Sequence, residues 1–208
     1  MPFEKTLENA WRSDRLVYRA MEEDAQDKAY VFTLNDGEPS GMAMVSPRLL
    51  APGDRPTAEA IYKWGQDAVL CVFICLPLQP GDALSRPKPI GILTLTRRGQ
   101  TGPQHRNAML CITIGKEYRR QGYGTEAINW ALDWAFLRAN LHRVGLTVFG
   151  YNPGAKTLYE KLGFVQEGRE RDALWFERKW YDLFTMGILE AEWEALRKGN
   201  RVKWYKKG

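Results

Sequence analysis

Two short segments carry the residue types and spacings that could do chemistry. The first is residues 112–127, Ile112-Thr-Ile-Gly-Lys-Glu-Tyr-Arg-Arg-Gln-Gly-Tyr-Gly-Thr-Glu-Ala127. A strand runs into a loop with two glycines, Gly122 and Gly124, and the loop opens a long helix. Helix N-termini present N–H groups without intrahelical partners at the positive end of the dipole, so they bind phosphates. Glycine admits close backbone approach, and Arg119 and Arg120 place fixed positive charge at the mouth. The pattern reads as a pyrophosphate cradle or as an ordinary glycine-containing helix start. The second segment is 152–164, where Asn152 and Tyr159 stand seven residues apart. That is two helical turns, so both share a face if Asn152 is the cap. A tyrosine placed there is an acid or simply a packed amphipathic residue.

Gly122-x-Gly124-x-x-Ala127 also fits the dinucleotide-binding fingerprint, but its context does not. That fingerprint needs its first glycine at the strand end and an acid at the end of the next strand, about 20 residues on. Here residues 115–121 separate Ile114 from Gly122, and the next strand, ending Val144-Gly-Leu-Thr-Val-Phe149, offers no acid.

The two segments together resemble the Gcn5-related N-acetyltransferase (GNAT) superfamily. Arg119-x-x-Gly122-x-Gly124 fits its pyrophosphate-binding motif, and Asn152-x-x-Ala155-x-x-x-Tyr159 fits its second element. Asn140-Leu-His-Arg-Val144, Tyr159-Glu-Lys-Leu-Gly-Phe164, Glu167-Gly168 and Trp180-Tyr-Asp-Leu-Phe-Thr-Met186 look more narrowly like the RimJ/RimL-type branch. The resemblance spans roughly Arg15 to Trp193. It implies acetyl-CoA as co-substrate, no metal, and transfer of the acetyl group to a primary amine on a peptide N-terminus or a small molecule.

It also implies roles for residues. The pantetheine would pair with the exposed edge of Ile112, Thr113 and Ile114 as a peptide pairs with a strand, and Gly115 suits a bulge where that strand bends away. Backbone N–H groups of Arg119, Arg120, Gln121, Gly122, Tyr123, Gly124 and Thr125 would hold the pyrophosphate, and Asn152, Ala155 and Tyr159 would complete the site. A neutral amine would attack directly, with the oxyanion held by a strand N–H near Ile114. Tyr159 would protonate the leaving thiolate or hydrogen-bond it.

The general base is where the sequence departs from the family pattern. Members often carry a carboxylate near the start of the first splayed strand or within the second, and here those positions fall at Asn107-Ala108 and Thr147. Glu117, His105 and His142 are the nearby titratable groups, each with a plain reading as a solvated or packed side chain. A water relay, or an acceptor of low pKa, removes the need for a base. An α-amino group at about 7.7–8.0 is partly neutral at pH 7 whereas a lysine near 10.4 is not. That favours a peptide N-terminus or small amine over lysine.

Strand patterns fall at Arg15–Ala20, Ala68–Leu76, Pro89–Arg97, Ala108–Ile114, Arg143–Phe149, Val165–Trp175 and Trp180–Ile188. A loop-rich stretch with Gly37, Pro39, Gly41, Pro47, Pro52, Gly53 and Pro56 follows the first, and Thr57 caps a short helix. The strands from 68 to 114 leave no room for crossover helices, so they form an antiparallel meander. Ala127, Ile128, Ala131, Leu132, Ala135 and Phe136 repeat at helical spacing from Gly122 to Asn140. Asn152 opens a two-turn helix ending at Gly163, and a last helix spans Leu189–Lys198. The expected fold is α+β: a GNAT-type mixed, mostly antiparallel central sheet with a splayed parallel strand pair, flanked by helices.

Among the plainer features, Cys71, Phe73 and Cys75 share a strand face as core residues, and Trp130 and Trp134, four residues apart on the long helix, read as core ahead of a partner face. Trp175, Phe176, Trp180 and Tyr181 line an acceptor groove or pack the last hairpin.

The chain of 208 residues, with 44% hydrophobic and 26% charged residues, suffices for one globular domain, expected over 1–196. No apolar run reaches a membrane span and the N-terminus lacks a secretory pattern. Three cysteines argue for a reducing compartment, so a cytoplasmic location, and with two histidines they argue against a zinc site. The net charge of +5 belongs to residues 197–208; without their six basic residues, 24 basic face 25 acidic ones. This basic tail is a fraying end or a weak contact for an acidic partner or nucleic acid. The remaining alternatives are a non-catalytic CoA-binding module and a nucleic-acid-associated protein; the expected assembly is a monomer or homodimer.

Overall fold

The computed structural model describes residues 9–35, 39–47, 63, 65, 67–81, 86–97 and 102–199. Its elements are β1 (Val17–Arg19), α1 (Ala25–Asn35), α2 (Pro39–Val45), β2 (Leu70–Leu76), β3 (Lys88–Arg97), β4 (Asn107–Ile114), α3 (Tyr123–Leu137), β5 (Arg143–Phe149), α4 (Pro153–Lys161), β6 (Val165–Phe176), β7 (Lys179–Leu189) and α5 (Glu190–Gly199). The seven strands form one sheet in the order β1-β2-β3-β4-β5-β7-β6. β2 to β4 make the expected antiparallel meander, β1 adds to it antiparallel to β2, and β4 with β5 is the parallel pair. The fold is α+β with a mixed, mostly antiparallel sheet, as the sequence predicts.

The sheet is covered on both faces, which is why β2 reads as a continuous apolar run. Val72 and Ile74 join the large core with Leu93, Leu95, Leu110 and the inner face of α3; Phe73 and Cys75 face a second core holding Val31 of α1. All six periodic residues of α3 are buried, and its three alanines let the helix lie close to the sheet. Trp130 stacks on Tyr18, with ring centroids 3.6 Å apart, and packs in the same core. Pairing of β2 with β3 steps from Ile74–Gly91 to Cys75–Pro89, so Ile90 is the extra residue of a bulge. Its side chain therefore joins the large core while Ile92 joins the smaller one. The pairing of β4 with β3 shows no bulge at Gly115, where the sequence led one to be expected. β4 keeps an unbroken register to Ile114, and Gly115, with φ −55°, donates its N–H to Ile90 O at 2.8 Å.

The loop-rich stretch after β1 is in part helical. Asp24 caps α1: its carboxylate accepts the Asp27 N–H at 2.8 Å and its carbonyl accepts the Lys28 N–H. An Asp-x-x-Asp signal was therefore present, but α1 has no clear apolar stripe to advertise it. Pro39, read as a loop residue, opens α2, where a missing N–H is harmless. The expected strand Arg15–Ala20 shrinks to three residues because Arg15 turns away toward α3. Of the helix expected after Thr57, residues 57–62 lie outside the described residues, while Lys63 and Gly65 are helical. Arg197 and Lys198, assigned above to the tail, stand in α5; residues 200–208 also lie outside the described set.

Asp27, 1% exposed, ties β1 to α1: Arg19 grips both its oxygens at 2.7 and 2.8 Å, and the Glu22 N–H donates at 2.8 Å. Burial works against its charge, yet the Arg19 and Glu22 hydrogen bonds outweigh it and hold the carboxyl below its usual range. Asp24 is held down to about 2, chiefly by Arg86. Removing the partner of a buried charge costs about 3–5 kcal/mol, so Asp27→Ala should lower urea-unfolding stability by that order. Both carboxyls have depressed folded-state pKa values. Their contribution is therefore complete above about pH 4 and fades as pH falls toward 2, so the urea midpoint should drop over that window.

Candidate functional site

The site is set by where two strands stop pairing. β4 and β5 pair in parallel only at Asn107–Arg143, Ala108–Val144 and Met109–Gly145. Beyond that, β4 follows β3 to Ile114 while β5 follows β7 to Phe149, so the two diverge into a V. The closed end is bolted. Arg106 O accepts N–H groups of His142 and Arg143, and the Arg143 guanidinium donates to Asn107 Oδ1 at 3.1 Å and pairs with Glu167. At the open end the β5-facing edge of residues 110–114 has no strand partner among the described residues. The groups on that edge belong to Ile112 and Ile114, whereas Thr113, expected there too, turns its backbone groups to Ile92 of β3 because successive residues of a strand face opposite neighbours. Backbone groups left unpaired inside a fold are an obligation that something must meet.

The loop after β4 carries this edge into the N-terminus of α3. Arg120 and Gly122 both adopt left-handed backbone, φ 61° and 84°. Gly122 is the cap residue and offers no side chain to the helix; the first intrahelical bond runs from Glu126 N–H to Gly122 O at 3.1 Å. Of the N–H groups of 119–125 that the sequence singles out as an anion cradle, that of Arg119 goes to Lys116 O at 3.4 Å, and no backbone carbonyl among the described residues takes those of 120–125. A Cβ at Gly124 would approach only Ile114 Cγ1, at 4.0 Å, so the cradle floor is open.

Side chains of this loop shape its backbone. Arg119 Nε donates to Ile114 O at 2.8 Å and Gln121 Nε2 to Glu117 O at 2.7 Å. The Arg119 side chain thus braces the end of β4, a role the motif alone does not show. Sequence reading also missed two residues. Glu126, 5% exposed in the first turn of α3, accepts from Ser13 Oγ at 2.7 Å and from Arg15 N and Nε at 2.7 and 2.8 Å. Arg15 further donates to Gln121 O at 3.0 Å and covers the Tyr123 ring at 4.6 Å. Nothing local in the sequence signals a contact across 111 residues; only an acid in a helix's first turn could have hinted at it.

α4 supplies the other wall. Asn152 caps it, its Oδ1 accepting the Ala155 N–H at 3.2 Å, and Gly163 ends the turn at φ 95°. The cap occupies the Asn152 side chain, and Ala155 packs on the core. Tyr159 follows two turns later, its ring edge-on to Phe164 at 5.8 Å. Burial pushes its phenol above the ordinary range, and the neighbouring Cys111 thiol, itself pushed up to about 11 by burial, adds to the shift. Tyr159 is therefore a neutral hydrogen-bond donor facing β4.

The base candidates do not join this site. His105 and His142 precede β4 and β5 and so stand at the closed end, while Glu117 is exposed in the loop. Asn107 is tied to Arg143, and Thr147 faces solvent on β5. Among the described residues no group of histidines, cysteines and acids could hold a metal ion, and no helix is long and apolar enough to cross a membrane. The aromatic residues of the last hairpin divide. Phe176 and Tyr181 pack on Tyr151 at 4.4 and 5.5 Å beside the mouth of the V, while Trp175 and Trp180 pair at the exposed tip.

This arrangement matches known proteins. Residues 50–164 match the acetyltransferase (GNAT) family. Spermidine N(1)-acetyltransferase of Vibrio cholerae is 37% identical over 89 residues, 43% of this chain and 51% of that protein. The Escherichia coli enzyme of the same name is 32% identical over 94 residues, 45% and 50% of the two chains. The chain thus spans about half the length of the curated relatives it matches. The crystal structure of spermidine N-acetyltransferase from Vibrio cholerae in complex with CoA and spermine superposes with a TM-score of 0.69, at 26% identity, over 86% of this chain and 98% of that one.

The raised phenol gives a direct check. In an ultraviolet titration, the difference between the native protein and Tyr159→Phe should show no phenolate absorbance below pH about 10, the value of an ordinary tyrosine. A signal appearing at lower pH would mean that the ring is solvated.

Proposed function

Because the chain belongs to the acetyltransferase (GNAT) family, we propose that it is an N-acetyltransferase that moves an acetyl group from acetyl-CoA to a primary amine by direct attack. The observation that carries this is the parallel pair that parts after Met109. It leaves one strand edge open, directly upstream of a helix N-terminus with unclaimed N–H groups. These features fit the two ends of CoA: an amide-bearing arm suits the edge at Ile112 and Ile114, and a diphosphate suits N–H groups from Arg120 to Thr125. Acetyl-CoA supplies a thioester, an acyl group already activated toward amines.

Everything else falls to this chain's residues. Edge N–H groups near Ile114 hold the carbonyl oxygen as negative charge grows on it. Tyr159 holds the sulfur. With its proton bound this tightly, it acts by donating a hydrogen bond more than by giving the proton away, since each unit of pKa adds about 1.4 kcal/mol to a full transfer. Asn152 and Ala155 act through the α4 cap, which sets where Tyr159 points. With no acid or histidine at Asn107, Ala108 or Thr147, the amine arrives neutral or loses its proton through water.

We infer a small primary amine as the acceptor. The named relatives act on spermidine, and the face of the V away from α3 supports the reading with hydroxyl and aromatic groups: Thr147, Tyr151, Phe176 and Tyr181. Arg143, the cation on that face, is neutralised by Glu167. Aromatic faces attract alkylammonium ions. The 140–144 and 180–186 segments keep a RimJ/RimL-type peptide N-terminus as the competing acceptor.

Calorimetric titration should show binding of CoA and acetyl-CoA and none of NADPH, and thiol release should follow with spermidine faster than with an N-terminal peptide. Binding without turnover on any amine would reduce the chain to a CoA-binding module. Tyr159→Phe should lower kcat about 10²-fold and leave acetyl-CoA affinity within about twofold. The raised Tyr159 pKa predicts a rate that climbs as the amine deprotonates and does not fall again below pH about 10.

A further inference from the structure

We infer that Arg15, in the N-terminal segment outside both sequence motifs, is a positioning residue of the diphosphate cradle. The inference rests on the CoA reading above and deepens it.

Two observations carry it. The first is the orientation of a peptide plane. Arg15 Nη1 donates to Gln121 O at 3.0 Å. In a trans peptide the C=O and the following N–H point in opposite directions, so drawing the Gln121 carbonyl toward Arg15 aims the Gly122 N–H the other way, into the cradle. The loop needs that hold, because it passes through left-handed backbone at Arg120 and Gly122, which is unfavourable for an arginine. The Arg15 guanidinium lies close over Gly122: a Cβ there would be 3.2 Å from Arg15 Nη2 and would push that group outward by a few tenths of an ångström.

The second observation is charge. Glu126 places a buried carboxylate in the first turn of the very helix whose N-terminus would receive a polyanion. Uncompensated, it would repel a diphosphate. Arg15 binds it through Nε at 2.8 Å and its own backbone N–H at 2.7 Å, with Ser13 Oγ at 2.7 Å completing the cage. The guanidinium remains 48% exposed and lies over Tyr123, the first helical residue. One side chain therefore cancels the misplaced charge and fixes the donor plane. A lysine could do the first but not both, lacking the planar fork.

The test compares donors with and without a diphosphate. Wild-type protein is titrated with CoA first; failure to bind would count against the CoA reading rather than against Arg15. Given binding, Arg15→Ala should weaken CoA about tenfold or more, the scale of a lost charge-assisted hydrogen bond. Its kcat at saturating acetyl-CoA and its kcat/KM for acetyl-pantetheine, which has no diphosphate, should stay within about twofold. Arg15→Lys keeps the ion pair and the fold, should recover part of the CoA affinity, and carries the same comparison if the alanine variant does not fold. Adding Glu126→Gln to Arg15→Ala should recover part of the affinity by removing the repulsion. Equal losses with both donors would make Arg15 a mere strap, and unchanged CoA affinity in either Arg15 variant would overturn the inference outright.

Discussion

The structure depends on a hydrogen-bond ladder that is deliberately short. β4 and β5 share three paired positions and then separate, because each is committed to another neighbour: β4 to β3 through Gly91–Ile114, β5 to β7 through Phe149–Leu183. An unpaired strand edge inside a fold lacks its hydrogen bonds unless something replaces them. A ligand with alternating amide donors and acceptors is such a replacement. The same separation makes room at the open end for the turn into α3 and for Tyr159. One departure from regular pairing thus creates the slot, its floor and its donor.

Keeping the V open requires its closed end to be rigid. The Arg106 carbonyl receives two N–H groups from the start of β5, and Arg143 lies across Gly145 and Gly187 to reach Asn107 and Glu167. A Cβ at either glycine would meet that guanidinium within 2.7 Å. On the β3 side, a Cβ at Gly91 would meet Thr113 O at 2.5 Å, so the ladder that carries the open edge tolerates only glycine there. These are packing constraints, yet they decide where backbone donors end up.

What was legible in the sequence follows the range of the interactions involved. Asn152, Gly163 and the apolar period of α3 act over a few residues, so caps and periodicity announce them, and β5 is found at its expected bounds. The glycine loop was legible as a motif, but its working geometry was not: Arg119 braces Ile114 instead of merely supplying charge. α1 escaped because its apolar residues form no clean stripe; it is held by Val31 in the second core and by the Asp27–Arg19 pair, both tertiary. The bulge at Ile90 is the same lesson: only the register between β2 and β3 shows it.

α3 is held at both ends by parts of the chain that lie outside the residues matching the family, 50–164. At its start Glu126 is caged by Ser13 and Arg15; one turn from its end Asp133 accepts from Trp193 Nε1 at 2.9 Å and Arg197 Nη2 at 2.7 Å. Both anchors are acids on the helix and hydroxyl, indole or guanidinium donors on the flanking segments. The helix that opens at the proposed cradle therefore carries carboxylates of its own near both ends, and the flanking segments supply the donors that offset them. Shared motif residues specify the backbone donors; the flanks decide what electrostatic field those donors sit in. Two chains with the same motif and different flanks should consequently differ in how tightly they hold a polyanion, with no change in the residues that touch it.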